Sequence, residues 1–239
     1  MFDYRQFYRR KLPHVHSPGA SLFVTFRLIG SVPKSVLREW QLERKSIDNT
    51  VEKFGRERTA NGLPAEDAYR ERLLQFHRTW FLRYEEVLHQ AATGPVWLKN
   101  PGIAKIVADA LEYHNQRSYG LHAYSVMSNH AHVLFTPILN EGSLTRKPDA
   151  NKPEFESFDP TLAVIMKSIK GYSAREANKL LGRKGAFWEA ESYDREVRDS
   201  REFWRTVRYI LNNPVKARIV NDWKEYPFNW LADELRSKL

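Results

Sequence analysis

An α+β fold, with helices on one face of an antiparallel sheet, is what this sequence predicts, and three observations carry the prediction. The run Ala20-Ser-Leu-Phe-Val-Thr-Phe-Arg-Leu-Ile29 is dense in β-branched and aromatic residues and stops at Gly30. Residues 119–137 read as extended in the same way, bent near Met127-Ser128-Asn129 and closed by Pro137. Around these lie long stretches with apolar residues three and four apart, the period of helices. Short pieces at 95–98 and 187–197 are candidates for further strands, and strands interleaved with helices in this order give a layered α+β domain.

Taken in order, residues 1–19 form a basic leader ending in Pro13, His14, His16 and Pro18-Gly19, which reads as a loop. From Pro33 the chain turns charged and helical. Residues 34–54 read as one helix, Asn61-Gly62-Leu63-Pro64 breaks it, and a second helix spans 65–92 with Tyr69, Leu73, Phe76, Trp80, Tyr84 and Val87 as its apolar stripe. The two predict a helical hairpin over 34–92, inserted into one domain spanning 1–239. Asn100 is placed to cap a helix whose first-turn residue is Pro101 and which runs to about His114. Residues 138–160, with Gly142, Pro148, Asn151, Pro153 and Pro160, read as a loop. A helix over 161–181 buries Leu162, Ile165, Ile169 and Tyr172 and ends at Gly182 and Gly185. Another runs from 200 to 211, stopped by Asn212-Asn213-Pro214, and opens a C-terminal helical extension over 200–239.

Composition narrows the chemistry. The 239 residues include 38 Lys and Arg against 29 Asp and Glu, a net charge of +9 that points to a polyanionic partner. Aromatic residues make up 13% of the chain, more stacking surface than a minimal core requires. Cysteine is absent, which excludes disulfides, a thiolate nucleophile and sulfur-ligated zinc, so any metal must be held by histidines and carboxylates. A reducing cytoplasm is the expected location. No segment approaches the ~20 apolar residues of a membrane span, and the basic, aromatic N-terminus has no apolar core of the kind a secretory signal needs.

His130 and His132 stand two positions apart within Val126-Met-Ser-Asn-His-Ala-His-Val-Leu134. In a strand, alternate side chains share a face, so both imidazoles point the same way and can hold a divalent cation between them. On a helix the same spacing would splay them by about 200°. The basic residues Lys167, Lys170, Arg175 and Lys179 crowd one predicted helix, and Arg195 and Arg198 follow in the next segment; all six are expected to track phosphates.

The histidine motif, together with Phe187-Trp-Glu-Ala-Glu-Ser-Tyr-Asp-Arg195 and Arg208-Tyr-Ile-Leu-Asn-Asn-Pro-Val-Lys-Ala217, resembles the HUH-class single-strand DNA transposases, and most nearly the REP-associated tyrosine transposases. The likeness extends from Arg9-Arg-Lys-Leu-Pro-His14 through Phe23-Val-Thr-Phe-Arg-Leu28 to Ala217. It implies a ferredoxin-like sheet, a histidine pair holding Mg²⁺ or Mn²⁺, and a helix-borne tyrosine that attacks a phosphate of a single-stranded DNA hairpin, a repeated palindromic element. A 5′-phosphotyrosine and a free 3′-OH result, and the strand is later rejoined to another end. Tyr193 is the expected nucleophile, although the pattern puts that residue where Ser192 stands here. Of the carboxylates near Tyr193, Glu189, Glu191 and Glu196, the last, one helical turn from Tyr193, is the expected third metal ligand. The shift leaves two readings open: a working Tyr193, or a domesticated hairpin-DNA-binding protein that does not cleave. A metal-dependent hydrolase in which the pair activates water is a third. Insertion-sequence relatives work as dimers, so a homodimer is also open; no membrane and no small-molecule substrate are expected.

Overall fold

The computed structural model describes residues 6–9, 13–17, 19–54, 65–138 and 161–239. Residues 139–160 of the loop expected over 138–160, and the helix break at Asn61–Pro64, lie outside the described residues. The chain divides into two compact units, one formed by residues 1–29 and 96–239 and the other by residues 30–95.

The larger unit is built on five antiparallel strands. β1 (Gln6–Arg9) and β2 (Pro13–His16) pair with each other, so the leader read as a loop contains a two-stranded ribbon. β3 (Ser21–Arg27), β4 (Tyr119–Val126), β5 (His130–Pro137), β6 (Tyr193–Val197) and β7 (Asn229–Leu231) form the main sheet in the order β6-β3-β5-β4-β7. Helix α3 (Pro101–Tyr113) connects β3 to β4, and α4 (Thr161–Leu180) lies between β5 and β6. This βαββαβ order is the expected ferredoxin-like α+β arrangement. Residues 95–98 do not form a strand: a 3₁₀ turn at Trp97–Lys99 leads into Asn100, whose side chain accepts the Gly102 N–H and caps α3. β7 answers to no sequence signal beyond its aromatic Trp230, and it adds a fifth strand beside β4.

Period-two alternation explains the two faces. Leu22, Val24 and Phe26 of β3 lie opposite Phe135, Val133 and Ala131 of β5, and these six pack with Ile103, Val107 and Leu111 of α3 and Ile165 and Ile169 of α4. The opposite face carries Phe23, Thr25 and Arg27 beside Leu134, His132 and His130. Across it lies α5 (Ser200–Lys216), with Phe203 edge-on to His122 at 5.1 Å and Tyr209 edge-on to Phe23 at 5.8 Å.

The expected stop at Asn212-Asn213-Pro214 is corrected: α5 runs through Pro214 to Lys216. A proline this close to the C-terminus removes one helical N–H donor, while Ala217 N–H still bonds Asn213 O and the Asn229 amide donates to Leu211 O. The start of α5 is fixed by two side-chain caps. Asp199 accepts the Glu202 N–H at 2.7 Å, and Glu202 accepts the Arg198 N–H at 3.1 Å.

The second unit contains α1 (Lys34–Phe54) and α2 (Ala65–Gln90). Trp40 and Phe76 rings meet at 6.0 Å, and the Trp80 indole N–H donates to Glu43 at 2.9 Å. Gly94, at φ +74°, approaches the Gly30 carbonyl so closely that a Cβ there would stand 2.3 Å from its oxygen.

Candidate metal centre and nucleophile

The histidine spacing acquires its chemical meaning from the strand. On β5 both rings project from one face, and their Nε2 atoms stand 3.0 Å apart. Two ligands at about 2.1 Å on adjacent corners of an octahedron are separated by about 3.0 Å, so the pair matches one edge of a six-coordinate site. The far nitrogens are oriented by side chains. Asn129 Oδ1 accepts from His130 Nδ1–H at 2.7 Å, which turns the His130 Nε2 lone pair toward its partner. Thr25 Oγ1 lies 2.8 Å from His132 Nδ1. A hydroxyl donates or accepts, so Thr25 serves both tautomers of that ring. It can donate to Nδ1 while His132 Nε2–H bonds His130, or accept from Nδ1–H while both Nε2 lone pairs face a cation. His130, His132 and Asn129 are buried. The donor set therefore fits a divalent cation, with oxygen ligands needed to complete it if the ion is Mg²⁺.

The sheet register places the other expected residues. Asn229, Ser125, His132, Thr25 and Tyr193 form one row across all five strands and share a face. Tyr193 is thus on the histidine face, but on strand β6 rather than on a helix, and two strand spacings, about 9.6 Å, from the His132 backbone. Its ring meets Phe23 edge-on at 6.4 Å, and Phe23 in turn stacks on His132 at 5.7 Å. Glu196 is not brought to the pair. It lies opposite Leu22, on the other face of the sheet, where its carboxylate accepts the Ser17 N–H at 2.9 Å. The expectation of one helical turn between Tyr193 and Glu196 fails because the segment is a strand, in which an odd spacing reverses the face.

A phenol that the sequence reading passed over meets His132 directly. Tyr209 of α5 places its ring 5.5 Å from that of His132 at 70°, with the Lys216 ammonium 4.8 Å from its ring centre. Asn213 follows one turn later, fully buried, with its amide nitrogen bonded to the Tyr209 carbonyl at 2.9 Å. The signal was present, since Tyr209 belongs to the predicted helix 200–211 and the resemblance calls for a helix-borne tyrosine.

The expected phosphate-tracking cations are mostly engaged within the protein. Lys170 donates to Ala190 O at 3.0 Å and Ser192 Oγ at 3.3 Å, tying α4 to the approach of β6. Arg175 and Lys179 both hydrogen-bond Glu176 and hold its carboxyl below the usual range. Arg195 pairs with Glu202, donates to Thr206 at 3.0 Å and covers the Phe23 ring at 5.2 Å, so it fixes α5 against the sheet. Lys167 and Arg198 are exposed. Among the described residues, no helix is long and apolar enough to cross a membrane.

No protein-family model matches the chain, and no curated protein matches it. Among solved structures the chain is similar to a REP-associated tyrosine transposase bound to a REP hairpin, at 14% identity and a TM-score of 0.41, with 96% of this chain and 82% of that chain covered.

Proposed function

We propose that this protein cleaves and rejoins single-stranded DNA through a phosphotyrosine intermediate, with His130 and His132 holding a divalent cation and Tyr209 as the nucleophile. The observation that carries the reading is the convergence of two oriented Nε2 atoms, 3.0 Å apart, beside a helix-borne phenol whose ring lies 5.5 Å from His132. Bound there, Mg²⁺ or Mn²⁺ would neutralise phosphate oxygens and stabilise the charge that develops in the transition state.

The chain's own residues do the rest. The Tyr209 phenol oxygen bonds to phosphorus and loses its proton to solvent, the bond from phosphorus to O3′ breaks, and the 3′ oxygen takes up a proton and leaves as a hydroxyl. The phosphoryl group stays on the 5′ end of the downstream fragment, joined to Tyr209, and attack by another 3′-OH reverses the step and rejoins the strand. Asn129 and Thr25 keep the imidazoles aimed. Asn213, buried one turn beyond Tyr209, is the side-chain oxygen assigned to the cation in place of Glu196. Within this reading the chain is one HUH transposase-like domain, with 34–92 an inserted hairpin and 200–239 an extension that supplies the nucleophile. It would act in the cytoplasm on a DNA hairpin formed by a palindromic repeat. His132 and Tyr209 meet within one chain, so the reaction does not require a second copy to supply the phenol.

The test is incubation of the full chain with a 5′-labelled and a 3′-labelled hairpin oligonucleotide and Mn²⁺, with and without EDTA. A denaturation-resistant adduct carrying only the 3′ label is expected, lost in EDTA and in His130→Ala. Specific hairpin binding with no adduct under any metal would replace this reading with the non-cleaving one. Cleavage to a free 5′-phosphate with no adduct would favour metal-activated water.

A further inference from the structure

The positive charge on α5 is organised differently from that on α4. Arg201, Arg205 and Arg208 recur at spacings of four and three, which puts them on one stripe of the helix, and all three are exposed. None of the three has a carboxylate partner among the described residues. Glu202, the acid within their span, is taken by Arg195, and Asp199 is engaged in capping the helix. On α4, by contrast, two of the four expected phosphate-tracking cations share the carboxylate of Glu176 and a third holds backbone and side-chain oxygens of the chain.

The stripe also leads somewhere. Tyr209 follows Arg208 by one residue and stands about 40° around the helix from Arg205, at the margin of the buried face that meets His132. From Arg201 to Arg208 the helix rises about 10.5 Å, the axial span of about three stacked nucleotides of one strand. Trp204 flanks the stripe, half-buried against Phe203, and offers an aromatic edge beside the guanidinium row.

We propose that Arg201, Arg205 and Arg208 form the phosphate track that holds the single-stranded DNA flanking the attacked phosphate and delivers it to Tyr209. The inference rests on the strand-transfer reading above and assigns the substrate contact to α5 rather than α4.

The test measures binding of a fluorescent hairpin oligonucleotide with a single-stranded flank to the full chain, in EDTA, across salt concentrations. Three contacts to single-stranded phosphates contribute about 2 to the slope of log affinity against log salt, and at 0.1 M salt each is worth about fivefold. The triple variant Arg201→Gln/Arg205→Gln/Arg208→Gln is expected to flatten the slope by about 2 and weaken binding by up to about a hundredfold. A charge-matched α4 variant, Lys167→Gln/Arg175→Gln/Lys179→Gln, is expected to lose about fivefold or less, since Lys167 is its only unpaired cation among the described residues. An α5 variant that loses no more than the α4 variant overturns the track while leaving adduct formation by the wild-type chain intact. Tighter, α5-dependent binding of the RNA of the same sequence overturns the assignment to DNA. A wild-type chain with no affinity for the oligonucleotide overturns the function on which the inference rests, and the track with it.

Discussion

Replacing Thr25 by Val keeps the shape of the side chain and removes its hydroxyl, so it isolates the hydrogen bond that orients His132. That bond is 2.8 Å long and buried on both sides. Its loss leaves His132 Nδ1 without its Thr25 partner, a cost of about 1–3 kcal/mol in folding stability. An outer partner of a metal-binding imidazole is worth about 10- to 100-fold in metal affinity, or about 1.4–2.7 kcal/mol. Titration calorimetry with Mn²⁺ should therefore show Thr25→Val binding at least tenfold more weakly than wild type, and Thr25→Ser, which retains the hydroxyl, recovering most of the loss. Melting curves of the same proteins report the stability cost separately. A Thr25→Val protein that melts earlier yet binds Mn²⁺ within twofold of wild type would refute the orienting role and reduce Thr25 to a packing residue.

Two glycines predict opposite outcomes. Gly94→Ala places a Cβ 2.3 Å from a backbone oxygen at a positive φ and should destabilise by more than about 2 kcal/mol in urea unfolding. Gly171→Ala, inside α4 with nothing within 4 Å, should raise stability by about 0.5–1 kcal/mol. A further outcome concerns pH. Burial holds the His122 imidazole below its usual range, against a smaller opposing effect of Glu234. Below pH 6.5 the unfolded chain therefore binds more protons at this site than the folded chain, so stability falls as pH drops through 6.5, by at most ~1.4 kcal/mol per unit. Urea midpoints between pH 7.5 and 5.5 should show a shallower decline in His122→Gln, and an unchanged decline would remove His122 as a contributor.

Much of the fold was legible because its signals are local. The run 20–29, the extended segment 119–137 and the Asn100-Pro101 cap each announce an element whose ends the structure places within one or two residues. The convergence of the histidine pair was legible for the same reason, since a spacing of two needs only a strand to bring both rings to one face. What the sequence could not show depends on register and on long-range packing. Glu196 and Tyr193 are three residues apart, and whether they share a face turns on whether 193–197 is strand or helix, a choice settled by pairing with β3. Tyr209 sits at the edge of an amphipathic pattern, where the same phenol reads equally as core or surface, and only the placement of α5 across the sheet brings it to His132. The cations of α4 read as a binding surface until Glu176, visible in the sequence but not its geometry, is seen to bond two of them.

The central claim is that the DNA becomes joined to the tyrosine of α5. Trypsin separates the two candidate phenols, because Tyr209 falls in the peptide 209–216 and Tyr193 in the peptide 185–195. Mass spectrometry of the nuclease-trimmed, trypsin-digested adduct should find the residual nucleotide on the 209–216 peptide, and Tyr209→Phe should abolish the adduct while Tyr193→Phe retains it. A nucleotide on the 185–195 peptide, with an adduct that survives Tyr209→Phe, would contradict the account and return the nucleophile to β6.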